Sequence, residues 1–189
     1  MAVEIEAKVK VLDFNAVRGK LAECGAVKVG NYFEINTFFD KPDRSLLAAD
    51  QGLRLRINRN EADNTEIFVC TFKGPRAHGK LKVRDEVEMD VGNPKDTERF
   101  FGALGYIPVL KFEKRRESWK HARCAIEMDE LPHLGLYVEI EGPDERTVMS
   151  VCELLGLADN PIIKTSYTAM LMNYLQERGR GDRSVVFPQ

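Results

Sequence analysis

The feature that most constrains the fold is the alternation of charged and apolar side chains in residues 4–8, near the start of the chain. Because successive side chains of a β-strand point to opposite faces, Glu4, Glu6 and Lys8 would line one face and the apolar residues the other. Two carboxylates at such a short distance repel each other unless a ligand compensates their charge. A divalent metal together with a polyanion would do so. The segment therefore predicts a strand whose charged face meets such a ligand.

The same alternation recurs in most of the strand-like segments that follow. Each places charged or polar side chains two residues apart, opposite its apolar residues. These groups are Arg54 and Arg56; Thr71 and Lys73; Arg84, Glu86 and Glu88; Glu127 and Asp129; Glu139 and Glu141. For one strand alone, a solvent-exposed sheet face explains the pattern. The grouping of like charges on nearly every strand instead favours a shared charged interior, with the apolar faces covered by helices.

One segment, residues 111–116, carries charges on both faces, so that the alternation alone does not decide its orientation. We place Lys114 and Arg116 on the inside, because they are in phase with Phe112. The residues left in water are then Lys111, Glu113 and Arg115.

The chain reads as the same unit twice, each with the order β-α-β-β-β. The first unit has the opening strand, a helix that ends at Gly25, and strands at 27–40, 52–58 and 66–73. The second has a strand at 84–91, a helix from Pro94 to Gly105, and strands at 107–119, 122–129 and 136–141. Eight strands suffice to close a sheet into a small barrel. We therefore predict an α+β fold, a closed eight-stranded antiparallel β-barrel with a charged lumen, flanked by helices.

The C-terminal part of the chain is predicted to be helical. One helix ends at Gly156, and a second begins near Thr165 and carries Tyr167 and Tyr174. The second helix has two alternative roles, to close one end of the barrel or to form a homodimer contact. Residues 1–178 are predicted to form a single domain, and residues 179–189 a disordered tail.

Composition limits the partners and the compartment. The chain has 189 residues and a net charge of −2, which gives no global attraction to nucleic acid or membranes. No apolar run approaches the length that crosses a bilayer. The four cysteines form no Cys-x-x-Cys pair and no signal peptide is recognised, which favours a cytoplasmic protein with reduced thiols. The three histidines lack the spacing of a zinc site.

The charged interior predicts the class of ligand. Oxygen-only acidic ligands suit Mg²⁺ or Mn²⁺, which bind through a few carboxylates and phosphate oxygens. Lysine and arginine bind phosphate directly, arginine as a bidentate fork. The combination points to a metal-bound polyphosphate.

Eight ordered motifs resemble the CYTH superfamily, also called triphosphate tunnel metalloenzymes, over about residues 2–175. The first is Glu4-x-Glu6-x-Lys8; the others lie at 37–40, 53–56, 71–75, 84–88, 114–117, 129–131 and 138–142. Residues 71–75 (Thr-Phe-Lys-Gly-Pro), the stretch 129–141 and the late Lys164-x-Ser166-Tyr167 are most similar to the class IV adenylyl cyclase branch.

The resemblance implies a closed eight-stranded tunnel and a set of site residues. The implied metal ligands are Glu4, Glu6 and Glu139 or Glu141, with Asp129 and Glu88 nearby. The implied triphosphate ligands are Lys8, Arg54, Arg56, Lys73, Arg84, Lys114 and Arg116. Catalytic roles fall to Glu6, Lys8, Asp129 and Glu139. The implied cofactor is Mg²⁺ or Mn²⁺, and the implied partner is a triphosphate such as ATP or tripolyphosphate.

Two reactions fit these parts, and the resemblance favours the first. In cyclisation, the ribose 3′-hydroxyl of ATP attacks the α-phosphorus, and cyclic AMP and pyrophosphate form. In hydrolysis, water attacks the terminal phosphorus of tripolyphosphate, thiamine triphosphate or a nucleotide. No local motif identifies an adenine pocket. A third alternative is a non-catalytic module that binds polyphosphate or a nucleotide, against which the many carboxylates argue.

Overall fold

The computed structural model describes residues 2–77, 82–179 and 183–188, with only the backbone of residues 2–4 and 82. The strands are β1 Ala2–Val11, β2 Val27–Asp40, β3 Gly52–Asn60, β4 Glu66–Ala77, β5 Lys82–Asp90, β6 Ile107–His121, β7 Cys124–Leu131, β8 Gly135–Gly142 and β9 Ser184–Val185. The helices are α1 Asn15–Glu23, α2 Ser45–Ala48, α3 Pro94–Ala103, α4 Glu145–Leu154 and α5 Tyr167–Glu177. Among the described helices, none is both long and apolar enough to span a bilayer.

Strands β1 to β8 form a closed antiparallel barrel. Their order is β2-β3-β4-β5-β1-β8-β7-β6, and a pairing of β2 with β6 closes the ring. The predicted α+β fold and its β-α-β-β-β halves are confirmed, with β1 and β5 opening the two halves. The short helix α2 is an addition that we did not predict. It begins where the buried carboxylate of Asp40 accepts hydrogen bonds from the backbone nitrogens of Leu46 and Leu47, at 2.9 and 3.1 Å.

Local signals in the sequence set the bounds of the longer helices. The side chain of Asn93 accepts a hydrogen bond from the backbone nitrogen of Lys95 at 2.9 Å, with Pro94 in the first turn of α3. Asp144 caps α4 in the same way, through the backbone nitrogen of Thr147 at 2.8 Å. Past the end of α3, Gly105 has a φ of +84°, a left-handed conformation that glycine adopts without steric cost.

The apolar faces of the strands point outward, and helices cover those of β1, β2, β3, β7 and β8. The predicted cover does not extend to all strands, because Phe72 of β4 and Val87 and Met89 of β5 are exposed. Helices α1 and α4 pack on β1, β7 and β8 through a cluster that includes Val9, Ile126, Val138, Leu21 and Val151. Phe101 of α3 packs against the outer side of β2 and β3. This arrangement inverts the usual small barrel, whose interior holds apolar side chains. The charged faces are left to line the lumen.

Helix α5 closes one end of the barrel. It packs on apolar side chains in phase with the lumen-facing charges, at the end where β6 begins and β7 finishes. The cluster contains Leu110, Phe112, Leu131, Tyr137, Tyr167, Leu171 and Leu175. The backbone nitrogen of Ile163 donates to the carbonyl oxygen of Lys8 at 2.7 Å, which ties the preceding segment to β1. The structure thus shows the first of the two alternatives for this helix, and a homodimer stays a prediction.

The short strand β9 lies within the segment for which we predicted disorder. It pairs in parallel with β6 at Lys111 and Phe112, on the edge that β7 leaves uncovered. The side chain of Val185 is 2% exposed and belongs to the same cluster as α5. The β-prone run at 184–187 explains this contact. The domain boundary at residue 178 stays a prediction.

Candidate functional site

The lumen contains a network of ion pairs between strands that are distant in the sequence. Its centre is the fully buried Glu34 of β2, whose Oε2 lies 3.2 Å from both Arg56 Nε and Lys114 Nζ. Lys114 Nζ also lies 3.2 Å from Oδ2 of Asp129. Arg116 donates two hydrogen bonds to the carboxylate of Asp129, from Nε at 2.7 Å and from Nη2 at 2.6 Å. The predicted inward orientation of Lys114 and Arg116 is what the structure has.

The opening strand meets the last barrel strand in this network. The register of β1 and β8 places Lys8 opposite Glu139 and Glu6 opposite Glu141. Lys8 Nζ lies 3.4 Å from Glu139 Oε1 and 3.9 Å from Glu6 Oε1. Arg116 Nη2 donates to Glu139 Oε2 at 2.9 Å, which joins this pair to the rest of the network. The structure therefore brings together all four residues predicted to be catalytic.

A second group of charges lies on β3, β4 and β5. Arg54 Nη2 donates to Thr71 Oγ1 at 2.8 Å and to Glu88 Oε1 at 3.1 Å. Lys73 forms an ion pair with Glu86 on the neighbouring strand. The side chain of Glu88 is 53% exposed, unlike the buried carboxylates of the first network. Arg54, Lys73 and Glu88 thus share one wall of the barrel.

Arg84 differs from the other predicted triphosphate ligands in its contacts. Its buried guanidinium donates to two backbone carbonyl oxygens, of Gly74 at 2.7 Å and of Asp50 at 2.6 Å. These bonds connect the bulged end of β4 to the loop before β3. The structure therefore gives Arg84 a part in holding the backbone, and its role as a triphosphate ligand stays a prediction.

Two predicted metal ligands lie near the end of the barrel opposite α5. Glu4 is in β1 opposite Arg84, and its side chain lies outside the described residues. Glu141 is exposed and faces a cavity of about 720 Å³ lined by residues 120–125 and 141–143. Glu6, in contrast, is 4% exposed. The carboxylates predicted to hold metal thus extend from the buried interior to this mouth.

The structure adds lumen residues to which the sequence analysis gave no role. Glu34 and Asn36 face inward from β2; Arg56 Nε donates to Asn36 Oδ1 at 2.9 Å. The polar alternation at residues 34–36 is a signal for this face, but the segment has one acid and one amide instead of the two charged side chains that identified most of the other strands. Tyr167 reaches the lumen from α5, with its ring centroid 4.2 Å from Lys8 Nζ. Strand alternation cannot place a residue on a helix.

Burial and neighbouring charges set the protonation states in the lumen. Burial opposes the ionisation of Glu34, but Arg56, Lys114 and Arg116 outweigh it and hold the pKa of this carboxyl well below its usual range. Burial and the neighbouring Arg56 lower the pKa of Arg54 to about 10. Burial, together with Arg116, lowers the pKa of the Lys114 ammonium. The Glu34 carboxyl group therefore stays ionised in neutral solution.

Two groups near the network keep their protons more readily than usual. Burial raises the pKa of Glu127, whose carboxylate accepts a 2.5 Å hydrogen bond from Ser118 Oγ. Burial and the nearby Glu139 raise the pKa of Tyr167 well above its ordinary value. Tyr167 is therefore a neutral hydrogen-bond donor in the physiological range.

The donor set suits a divalent cation bound jointly with phosphate. Within the part of the chain that the structure describes, no group of three or more His, Cys, Asp or Glu side chains is arranged to hold a metal. Glu6 and Glu139 nevertheless approach one and the same ammonium, that of Lys8. Mg²⁺ and Mn²⁺ need only one or two protein carboxylates, because phosphate and water oxygens complete their coordination. The residues present therefore fit such an ion.

Comparison with known proteins gives matches over nearly the whole chain. A family profile described as the CYTH domain matches residues 2–167. A protein of Methanocaldococcus jannaschii named "Putative adenylate cyclase" is 28% identical over 174 residues, which cover 87% of this chain and 96% of that protein.

Solved structures share the fold. One is the PH1819 protein of Pyrococcus horikoshii, with a TM-score of 0.78, 24% identity, and coverage of 90% of this chain and 99% of that one. Another, from Hippeastrum, is described as a "Putative adenylyl cyclase" with "a dominant triphophatase activity". Its TM-score is 0.66 at 15% identity, with coverage of 95% and 97%. At these identities the structural likeness shows the fold alone.

Proposed function

Because the chain belongs to the CYTH family, we propose that it is a divalent-metal-dependent enzyme that acts on a triphosphate group inside the barrel. The observation that carries the proposal is the pairing of buried cations with buried carboxylates in a lumen closed at one end by α5. Such a lumen has cations for phosphate oxygens and carboxylates for a metal. Divalent-metal dependence is general in this family.

The cations of the lumen would hold the phosphates. Lys8, Arg56, Lys114 and Arg116 converge from β1, β3 and β6, so a triphosphate among them would be contacted from several sides. Donors fixed before the substrate arrives stabilise charge that develops on phosphate oxygens in the transition state, without reorganisation. Ion pairs hold these donors in place, that of Lys8 with Glu139 and those of the other three with Glu34 or Asp129.

The metal would be held by Glu6 and Glu139, with Glu4 and Glu141 toward the mouth. When bound, Mg²⁺ or Mn²⁺ neutralises phosphate charge and favours deprotonation of an oxygen nucleophile. The chain's own contribution is to orient the two carboxylates from β1 and β8 toward one point, and to exclude water by burying Glu6.

For the reaction, we favour cyclisation of ATP to cyclic AMP and pyrophosphate. The motifs of the class IV adenylyl cyclase branch and the name of the M. jannaschii relative support it. The cavity of about 720 Å³ beside Glu141 offers room for a nucleoside at the mouth. Triphosphate hydrolysis is the second candidate, since the Hippeastrum protein of the same fold is described with that activity.

Product analysis distinguishes the two reactions. Purified protein is incubated with ATP or tripolyphosphate and either Mg²⁺ or Mn²⁺, and the products are separated by ion-exchange chromatography. Cyclic AMP with pyrophosphate supports the cyclase, whereas orthophosphate from either substrate supports the hydrolase. We expect Glu6→Ala to abolish turnover.

Glu98→Ala is the matched control, because Glu98 is an exposed glutamate on α3, away from the lumen. It should retain wild-type turnover. If the wild-type protein binds a triphosphate but converts neither substrate with either metal, the protein is a binding module and the enzyme proposal is wrong.

A further inference from the structure

The hydroxyl of Tyr167 has no hydrogen-bond partner among the described residues. The residue is 8% exposed, so water does not readily replace the missing partner. Buried polar groups are almost always hydrogen-bonded, and an exception calls for an explanation such as an absent ligand. The hydroxyl of Tyr167 therefore indicates where an absent ligand could bind.

Tyr167 lies at the end of the lumen that α5 closes, among the charges of the candidate site. Its ring centroid is 4.2 Å from Lys8 Nζ and 5.7 Å from Lys114 Nζ. Glu139 and Asp129 are close enough for their charges to act on the phenol. We assign Lys8 and Lys114 to the triphosphate and Glu139 to the metal, and Asp129 is an ion-pair partner of Lys114.

The surroundings hold the ring in place without using its hydroxyl. It packs edge-on against Tyr137, with 5.3 Å between the ring centroids, and joins the apolar cluster of Leu171. Its backbone is fixed at the start of α5, where Ser166 Oγ accepts a hydrogen bond from the backbone nitrogen of Ala169 at 3.3 Å. The cluster thus pre-positions a donor whose acceptor must come from elsewhere.

We propose that the Tyr167 hydroxyl donates a hydrogen bond to a phosphate oxygen of the bound triphosphate, beside Lys8 and Lys114. This inference rests on the proposed function and adds α5 to the elements that contact the substrate. The site is then complete only when α5 is docked on the barrel end, because no barrel strand supplies this donor.

Tyr167→Phe tests the inference, since it removes only the hydroxyl and keeps the ring beside Lys8. The probe is imidotriphosphate, a triphosphate in which NH replaces both bridging oxygens, so that its P–N–P bridges resist hydrolysis. Its binding in the presence of Mg²⁺ is measured by calorimetry. We expect the dissociation constant to rise about tenfold, the lower range for loss of a hydrogen bond to a charged group. Without the ligand, the melting temperature should not fall, because the hydroxyl has no partner to lose.

Tyr174→Phe is the control, because this tyrosine lies on the same helix but stacks on His133 outside the network. It should bind the probe as the wild type does. Equal affinity of Tyr167→Phe and wild type would overturn the inference, as would a lower melting temperature of the ligand-free variant, which would mean that the hydroxyl already has a partner. If the wild type itself does not bind the probe, the proposed function fails instead.

Discussion

Glu34 is the residue on which the buried network depends most. It is 1% exposed and contacts Arg56 and Lys114, each at 3.2 Å. Removal of one member of a buried charge pair is costly, because the remaining charges stay buried without compensation. The carboxylate of Glu34 therefore balances cations that the lumen needs for an anionic ligand.

We expect Glu34→Gln to destabilise the metal-free protein at pH 7 by about 3 kcal/mol, the lower range for breaking a buried pair. The folded-state pKa of Glu34 lies below its unfolded value, so its stabilising contribution is present above the unfolded value of 4.5 and is lost as the pH falls further. The difference in unfolding free energy between wild type and variant should therefore shrink below pH 4.5. Urea unfolding at several pH values measures it; a difference that stays constant would contradict the interpretation.

Glu127 should show the opposite dependence on pH. Burial raises its pKa in the folded state, so ionisation of this carboxyl opposes folding. Its contribution is most favourable below the unfolded value and declines as the pH rises through the folded value. At pH 8 we expect Glu127→Gln to be as stable as wild type or more stable, and at pH 4 to be less favourable relative to wild type than at pH 8, in the same unfolding assay. If the substitution destabilises the protein more at pH 8 than at pH 4, the attraction of Arg116 outweighs the effect of burial on the pKa of Glu127, and the prediction is wrong.

At the scale of the elements, α5 and β9 together close one end of the barrel. Strand β9 takes the edge of β6 beyond β7, and Val185 packs into the cluster that contains Leu171 and Phe112. The C-terminal segment thus stabilises the helix that carries Tyr167. Neighbouring valines offer a direct test, since Val185 is 2% exposed and Val186 is 41% exposed.

Val185→Ala should lower the free energy of unfolding by about 1–2 kcal/mol, because it removes two buried methyl groups. Val186→Ala, next to it in the chain, should change it by less than about 0.5 kcal/mol. Thermal and urea unfolding of both variants measure the difference. Equal effects of the two substitutions would mean that β9 does not hold the barrel end in solution.

At the scale of the whole molecule, cations and carboxylates of the lumen compensate each other. Lys8 contacts Glu6 and Glu139, and Arg116 contacts Asp129 and Glu139. An anion that enters alone must compete with the carboxylates for these cations. A metal that binds the carboxylates at the same time removes this competition.

Metal and triphosphate should therefore bind cooperatively. We expect imidotriphosphate to bind at least about tenfold more tightly with Mg²⁺ than in EDTA at matched ionic strength, a coupling of about 1.4 kcal/mol. Calorimetric titrations under the two conditions measure the factor. In Glu6→Ala the factor should be smaller, because one of the carboxylates that Lys8 approaches is gone. Equal affinities with and without metal in the wild type would contradict the idea that the metal removes the competition between carboxylates and phosphate for the cations.

Most of the barrel follows from the alternation in the sequence, but its contacts do not. The alternation correctly orients Glu6, Arg54 and Asp129, because the two faces of a strand are a local property. It misses Glu34, whose strand carries a single inward acid, and it cannot reveal that Arg84 bonds to backbone carbonyl oxygens at a bulge. Those outcomes depend on which strands become neighbours.

The sequence by itself determined the eight strands, the face on which each carries its charges, and the class of ligand that such charges suit. Only the tertiary structure decided that Lys8 meets Glu139, 131 positions away, that α5 closes one end, and that Tyr167 enters the lumen. The physical reason is that side-chain alternation is fixed within a strand, whereas ion pairs depend on the register between strands. That register is set only when β2 and β6 close the ring.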